Sequence, residues 1–480
     1  MFAATMTQDL TQPKPPATNM ARNIVVIGGG PAAVWAAIEA KKRDAGAAVT
    51  LVTDEACEPY EKPPLSKAVL LGKANPEDAP IAGPGWLAAH GVTLMLNSKC
   101  TAIDRAAREI VTTRVYPVRV DPRPHPLIPA QAGIQRPLAP SPQSLAPGSP
   151  LSRGRADTEY RLHMIETRSS GRLPYDALVI ATGSQMRELP LLPMGMPRVH
   201  YLRTDLHARA LKAGLATCKH LVVIGAGLIG LEVAASAAEQ GIKVTVIEFA
   251  PRIMARACDE ETGAIILAEH QRHGVEFRLG VSVTRVTPQP DGRIELHTNG
   301  GKSYVADLVV VGAGVKPDDA LAAASGLAVQ DGIVVDAQCR TSDPNIFAAG
   351  DATRFPGPQG PARLENWRHA QDHGVLAGRN AAGASDGYSP VPSYWTEQYD
   401  LYVQGIGWSD PDAKRVRRPL PGKSALLLET KNGVLSYAIG INVQRDLAAI
   451  RRLIERKVPV DPTVLADPAQ PFAGMLKPKS

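Results

Sequence analysis

The sequence predicts a mixed α/β protein in which one strand–turn–helix–strand design occurs twice. Two segments carry this reading, "NIVVIGGGPAAVWAAIEAKKRDAGAAVTLVTDE" and "HLVVIGAGLIGLEVAASAAEQGIKVTVIEFAPR". Length agrees, since 480 residues at roughly 150 per domain suggest about three domains.

In the first unit, Asn23 to Ile27 is an apolar run of the kind found in strands buried on both faces. Gly28, Gly29 and Gly30 turn the chain into a helix that opens at Pro31 and shows Lys41, Lys42 and Arg43 near its end; Gly46 then permits the exit. The pattern is G-x-G-x-x-A. Gly28 and Gly30 let the backbone approach a pyrophosphate at the positive end of the helix, and Ala33 lets helix and strand pack closely. Asp54 closes the next strand, where a carboxylate accepts hydrogen bonds from a ribose. The second unit repeats the design with Gly225, Gly227 and Gly230, a helix stopped near Gly241, and Glu248 after the following strand.

Two dinucleotides in one chain imply electron passage between them, and FAD with NAD(P)H is the pairing expected. "YDALVIATGS" (Tyr175 to Ser184) and "NIFAAGDAT" (Asn345 to Thr353) each bring an apolar strand to a small-residue turn, as backbone passing close to a cofactor requires. Both lie outside the second unit and so belong with the first, where Asp351 would hold the ribityl chain or the pyrophosphate. FAD is therefore assigned to the first unit and the nicotinamide cofactor to the second. Glu248 favours NADH, because a 2′-phosphate ~5 Å away would be repelled by on the order of 3 kcal/mol per unit charge. NADPH is less favoured, with Arg252 and Arg256 as a partial counterweight.

Other chemistries find little support. The five cysteines (Cys57, Cys100, Cys218, Cys258, Cys339) are scattered, with no C-x-x-C, which fits a reducing cytoplasm and excludes a cysteine-based zinc cluster. His369 with His373, and His270 with His273, would each share a helix face, but no third metal ligand stands out, and both read as ordinary surface pairs. The net charge is +6, with a basic surplus late in the chain in "KRVRRPLPGK" and "RDLAAIRRLIERK". That distribution argues against nucleic acid and for an acidic protein partner. No window reaches the ~18 consecutive apolar residues of a bilayer span. Residues 1–21 read as a disordered leader without signal-peptide features, so a cytoplasmic location is expected.

The stretches "PYEKPPLSK", "IVVIGGGPAA", "YDALVIATG", "VVIGAGLIGLEVAASAAEQG", "IFAAGDAT", "RLENWRHAQDHG" and "YWTEQYDLYVQGIGW" resemble the ferredoxin reductase components of bacterial oxygenase systems. Those proteins belong to the glutathione-reductase structural class, with the apoptosis-inducing-factor-like flavoproteins. The resemblance implies two Rossmann-like domains of glutathione reductase type plus a C-terminal α+β domain. It places an FAD domain at 22–190 and 318–388, an NAD domain at 191–317, and a C-terminal interface domain at 389–480. It implies FAD binding through Gly28, Gly30, Asp54, Lys67, Thr182, Gly183, Asp351 and the Trp367 region, and NADH binding through Gly225, Gly227, Ile229, Gly230, Glu248 and Arg256. Pro31, Ala33, Lys62, Ala181, Glu365, Trp395 and Gly312 complete the candidate set. Where relatives carry arginine in "PYxRPPLSK", this chain has Lys62, which keeps the charge and loses the bidentate fork.

By the same resemblance, Lys67 faces the flavin and pairs with Glu232, the two residues expected to act in catalysis. Hydride would pass from NADH to FAD, and electrons would leave singly to a small acidic [2Fe-2S] ferredoxin or Rieske-type ferredoxin; monomer and homodimer both stay open. Two other readings also stay open. One is an apoptosis-inducing-factor-like NADH sensor; the other is a peroxidase or disulfide reductase built on Cys57, which lies beside the proline-lysine stretch. A Pro-rich, aperiodic insertion at about 117–157 interrupts the resemblance, and is read as a surface excursion with no catalytic role or, alternatively, a docking arm.

Overall fold

Strands without polar alternation must be covered on both faces, and both repeated units obey this rule. The computed structural model describes residues 21–120 and 161–476. Asn23–Ile27 is the central strand of a parallel five-stranded sheet, in the order Ile346–Ala348, Ala177–Ile180, Asn23–Ile27, Ala48–Val52, Val92–Met95. Ile27 pairs with Val52 on one side and Ile180 on the other, and Ile180 pairs with Ala348. The glycine turn, the Ala181–Gly183 turn and the Asp351 turn therefore leave from one edge, the carboxyl end of the sheet, where open α/β sheets bind ligands. The second parallel sheet follows the same plan: Glu276–Leu279, Lys243–Glu248, His220–Ile224, Leu308–Val311, Val199–His200. An antiparallel ribbon of Ser184–Met186 and Val315–Pro317 carries the chain out of the first sheet domain and back.

One face of the first sheet is covered by the helix Pro31–Arg43, which packs against Trp367–Ala381. The two helix backbones nearly touch. A Cβ on Gly378 would stand 2.1 Å from the Ala36 carbonyl oxygen, and one on Gly374 would stand 2.3 Å from that of Ala32. Glycine at both positions thus fixes how closely the helix that begins at Trp367 approaches the first glycine turn.

The C-terminal domain is an antiparallel sheet in the order Ser393–Gln398, Leu401–Gly407, Val434–Ile441, Ala425–Lys431, Lys414–Arg418. Its run "ALLLE" is buried at every position because both faces are covered. Leu426, Leu428 and Ala438 face the helix Gln444–Glu455 through Leu447, Ile450 and Leu453. Leu427, Ile439 and Ile441 instead join a core with Leu231 and Ala234 of the second dinucleotide unit. Among the described residues no helix is long and apolar enough to cross a membrane.

Beside the first sheet lies a three-stranded layer of Ser98–Asp104, Glu109–Val120 and Arg161–Pro174. The regular pattern in the sequence ends near Thr113, yet pairing continues to Val120 opposite Arg161, through Pro117. Proline is tolerated there because Ser98–Asp104 stops pairing at Arg114, leaving an edge beyond it. The strands thus take up residues 117–120 of the sequence-defined insertion; the rest of it, like the leader at 1–20, lies outside the described residues.

Gly378→Ala is expected to lower stability by about 1–3 kcal/mol through overpacking against Ala36. The control is Gly387→Ala, where a Cβ meets open space; a melting temperature equally unchanged in both variants would refute the close-contact account.

Candidate functional site

The two glycine turns differ in one instructive way. A Cβ on Gly28 (φ 134°) would lie 2.2 Å from the Ala181 carbonyl oxygen, and one on Gly225 (φ 104°) would lie 2.5 Å from that of Gly312. Each turn is therefore wedged against the next strand end. Gly230 is also sterically required, since its Cβ would meet the Gly225 carbonyl oxygen at 2.2 Å, whereas the first unit accommodates Ala33 at the equivalent place. Gly30 and Gly227 face open space.

Both residues are also helix N-caps without a side-chain hydrogen bond, while Asp259, Asn366 and Thr204 cap other helices through their side chains. Two helix N-termini with unused backbone donors and clear space in front suit two pyrophosphates. The residues present therefore fit FAD at the first turn and a nicotinamide dinucleotide at the second.

Between the turns lies a cavity of about 240 Å³. Its lining includes Gly30, Pro31, Lys62, Lys67, Ala181 and Gly183 from the first unit and Ile229 and Glu232 from the second. Asp351, Glu365, Trp367 and Trp395 complete the predicted residues found there. The stretch "KPPLSK" forms it locally: Pro63–Ser66 is a single 3-10 turn, pinned by buried Leu65, Val69 and Leu70. The Ser66 carbonyl oxygen accepts a 2.8 Å hydrogen bond from Ser236 on the helix Leu228–Glu239. Lys67 Nζ then lies 3.5 Å from Glu232 Oε1. Glu232 is 5% exposed. Burial pushes its carboxyl above the usual range, and Lys67 followed by hydrogen bonds from Ser66 and Thr396 pulls the other way.

Asp351 sits in the turn Gly350–Ala352, and burial raises its carboxyl to about 6, with the Arg203 guanidinium opposing. Trp367 opens its helix, donates from its indole N–H to Glu61, and meets Trp395 edge to face with ring centroids 5.8 Å apart. Glu248 ends its strand, 8% exposed, with its two oxygens accepting from the backbone N–H groups of Ala226 (2.6 Å) and Ala250 (2.8 Å).

Several residues lie elsewhere than the motifs suggest. Asp54 is exposed, while the neighbouring Glu55 reaches back over the turn, its Oε1 3.7 Å from where a Cβ of Gly29 would be. Glu55 is held by Lys62 and Tyr60, so Lys62 acts on this rim through a carboxylate. Thr182 gives its hydroxyl to the Asp318 carbonyl oxygen at 2.6 Å. Arg256 lines a separate cleft of about 390 Å³ with Arg187, Arg354, Arg363, Asp331 and Glu365. Arg252 is turned to the carbonyl oxygens of Ala255 and Cys258. Sequence reading missed Arg203, which lines the main cavity beside Gly183. No motif marks it.

Two expectations need correction. His369 and His373 are not a surface pair, being buried against Phe355 and Tyr388; of the other pair His270 is buried and His273 exposed, and burial holds His369, His373 and His270 well below the usual imidazole range. The cations of "KRVRRPLPGK" are largely taken up in ion pairs and hydrogen bonds within the protein, while Arg445, Arg452, Arg456 and Lys457 of the second basic segment are exposed. Arg417 pairs with Asp259 and Glu261, Arg415 with Glu429, and Lys423 with Glu269. Arg418 donates to the Leu465 and Gln470 carbonyl oxygens and lies 3.8 Å over the Phe472 ring. The Cys57-based alternative gains no support: Cys57 packs among Tyr60, Leu65 and Val69, and burial pushes its thiol up to about 11, which leaves it protonated at neutral pH and a poor redox nucleophile. All five cysteines are free, and among the described residues no cluster of three or more His, Cys, Asp or Glu side chains could hold a metal ion.

Several known proteins are similar to this chain along nearly its whole length. Rhodocoxin reductase of Rhodococcus erythropolis is 33% identical over 448 residues, covering 93% of this chain and 92% of the relative. The ferredoxin–NAD(+) reductase component of the anthranilate 1,2-dioxygenase system of Burkholderia cepacia is also 33% identical, covering 92% and 97%. Among solved structures, the ferredoxin reductase for the CYP199A2 system of Rhodopseudomonas palustris superposes with a TM-score of 0.79 at 27% identity, covering 95% of this chain and 100% of that one. The covalent putidaredoxin reductase–putidaredoxin complex gives the same score and identity, with 95% and 99% covered. A reductase C-terminal domain matches residues 393–476. With residues 22–125 and 145–374 matched, well over half of its length, this chain belongs to the pyridine nucleotide-disulphide oxidoreductase family.

Proposed function

We propose that this protein is a flavoprotein reductase that takes hydride from NADH onto FAD and delivers electrons singly to a [2Fe-2S] ferredoxin serving an oxygenase or similar system. Bound FAD supplies a centre that accepts two electrons together and releases them one at a time. The observation that carries the reading is the Lys67–Glu232 pair where the two dinucleotide units meet, 3.5 Å apart in a cavity that no cysteine lines. Lys67 holds a cation where negative charge develops, Glu232 fixes that cation, and Ile229 faces the same space from the second turn. Trp367 and Trp395 line the same cavity.

The preference for NADH rests on Glu248, whose two oxygens are fixed by backbone N–H groups and meet a 2′-phosphate as a fixed negative charge. An acidic ferredoxin suits the exposed Arg445, Arg452, Arg456 and Lys457 of the late segment "RDLAAIRRLIERK".

In anaerobic steady-state assays NADH is expected to reduce a [2Fe-2S] ferredoxin with a kcat/KM at least about tenfold above that for NADPH, each factor of ten being about 1.4 kcal/mol; equal values would remove the role given to Glu248. Lys67→Met is expected to slow single-turnover NADH oxidation by about 100-fold with flavin content retained. A rate within twofold of the wild type would exclude Lys67 from the hydride step. Cys57→Ser is expected to leave turnover with ferricyanide or ferredoxin unchanged, and its loss would restore the thiol-based reading.

A further inference from the structure

Glu232 stands at the end of an ordered chain of hydrogen bonds that leaves its own domain. Its Oε1 lies 2.7 Å from the Thr396 hydroxyl. An ionised carboxylate only accepts, so Thr396 spends its single proton there and must itself accept from Gln398 Nε2, 3.0 Å away. The Gln398 side-chain oxygen then faces His270 Nε2 at 2.7 Å, which assigns the imidazole proton to Nε2. His270 is neutral near pH 7, its burial holding it at about 4, so its Nδ1 is bare and takes the Tyr399 hydroxyl at 3.3 Å. Every donor in the series points toward one carboxylate.

The burial and the connectivity exceed what a local cap needs. Thr396, Gln398 and His270 are at most 2% exposed. Thr396 and Gln398 sit on the first strand of the C-terminal sheet, Ser393–Gln398, and His270 on the helix Glu260–Arg272 of the second dinucleotide unit. At the outer end the Tyr399 ring stacks on His273 at 3.8 Å. The charged groups around the series are few. Lys67 faces Glu232 directly, and Lys62, Arg203, Asp351 and Glu365 line the same cavity, with Tyr394 also at its wall. His270 has Glu269, His273 and Tyr399 as its titratable neighbours, and Phe277 edge-on.

We propose that Thr396, Gln398 and His270 are positioning residues that keep Glu232 ionised and aligned with Lys67, making the C-terminal sheet a working part of the nicotinamide–flavin junction. A carboxylate this buried, left with Lys67 and Ser66 alone, would take up a proton at a higher pH, and the Lys67 cation would lose its counter-charge. The sign follows directly: removing a donor raises the proton affinity of Glu232, so loss of function on acidification begins at a higher pH.

The test is an infrared pH titration of the carboxyl band in the flavin-loaded protein, with Glu232→Gln as the blank. Thr396→Val and Gln398→Leu are expected to raise the Glu232 midpoint by about one pH unit or more. His270→Phe is expected to raise it by less, and His270→Gln, which keeps an N–H donor, to leave it near the wild-type value. The acid limb of single-turnover NADH oxidation is expected to move in the same direction with NADH affinity unchanged. If Thr396→Val fails to fold, the His270→Phe and His270→Gln pair carries the same comparison. An unmoved midpoint in the folded variants overturns the chain. Because the proposal rests on the hydride-transfer reading of Glu232, a shifted midpoint with an unmoved acid limb overturns that reading and the functional claim with it.

Discussion

A carboxylate deep in a protein is costly unless a cation and several donors surround it, and Glu232 obtains these from two parts of the chain outside its own helix. Lys67 and Ser66 come from the proline turn after the first dinucleotide unit, and Thr396 comes from the C-terminal sheet. Glu232 itself rides on the helix that begins at the second glycine turn. One buried negative charge thus requires all three regions to be in register. The apolar contacts agree: Leu427, Ile439 and Ile441 share a core with Leu231 and Ala234 on that same helix. An interface of this apolar character resists the relative domain motion that is otherwise the default expectation. The junction between the two cofactor sites is therefore preorganised.

The local parts of this architecture were legible in the sequence because they depend on short spacings. Glycine at 28, 225 and 230 answers to contacts with backbone a few residues away or on the adjacent strand, whereas glycine at 30 and 227 leaves open space in front of a helix N-terminus. The Lys67–Glu232 pairing became visible only through family resemblance, since nothing in either local sequence announces the other. The hydrogen-bonded support behind Glu232 was not legible. Thr396, Gln398 and His270 have no periodic signature, and they meet across separations of 164 and 128 residues. Glu55 also has no signature in the sequence, because a one-residue difference at a strand end decides which side chain turns back over the glycine turn, and Lys62 and Tyr60 hold Glu55 there.

Charge was misread for a related reason. A run such as "KRVRRPLPGK" shows its cations but hides their partners, and here Asp259, Glu261, Glu269 and Glu429 lie close by in space. Arg418 is the extreme case, acting as a clamp for the chain terminus over Phe472. The four arginines of the cleft are separated in sequence and form no run, so only the fold assembles them. The buried histidines repeat the lesson: spacing on a helix gives the face, and packing decides whether that face sees water.

The long hairpin beside the first sheet has its own consequence. Because Val120 and Arg161 are neighbours across a strand pair, the chain joining them begins and ends at one spot on the molecule. Each doubling of such a segment adds only about 0.6 kcal/mol of closure entropy. The domain is thus nearly indifferent to how much polypeptide is spliced in at that tip, which makes it a natural port for acquiring or shedding foreign sequence while the electron-transfer core stays as it is.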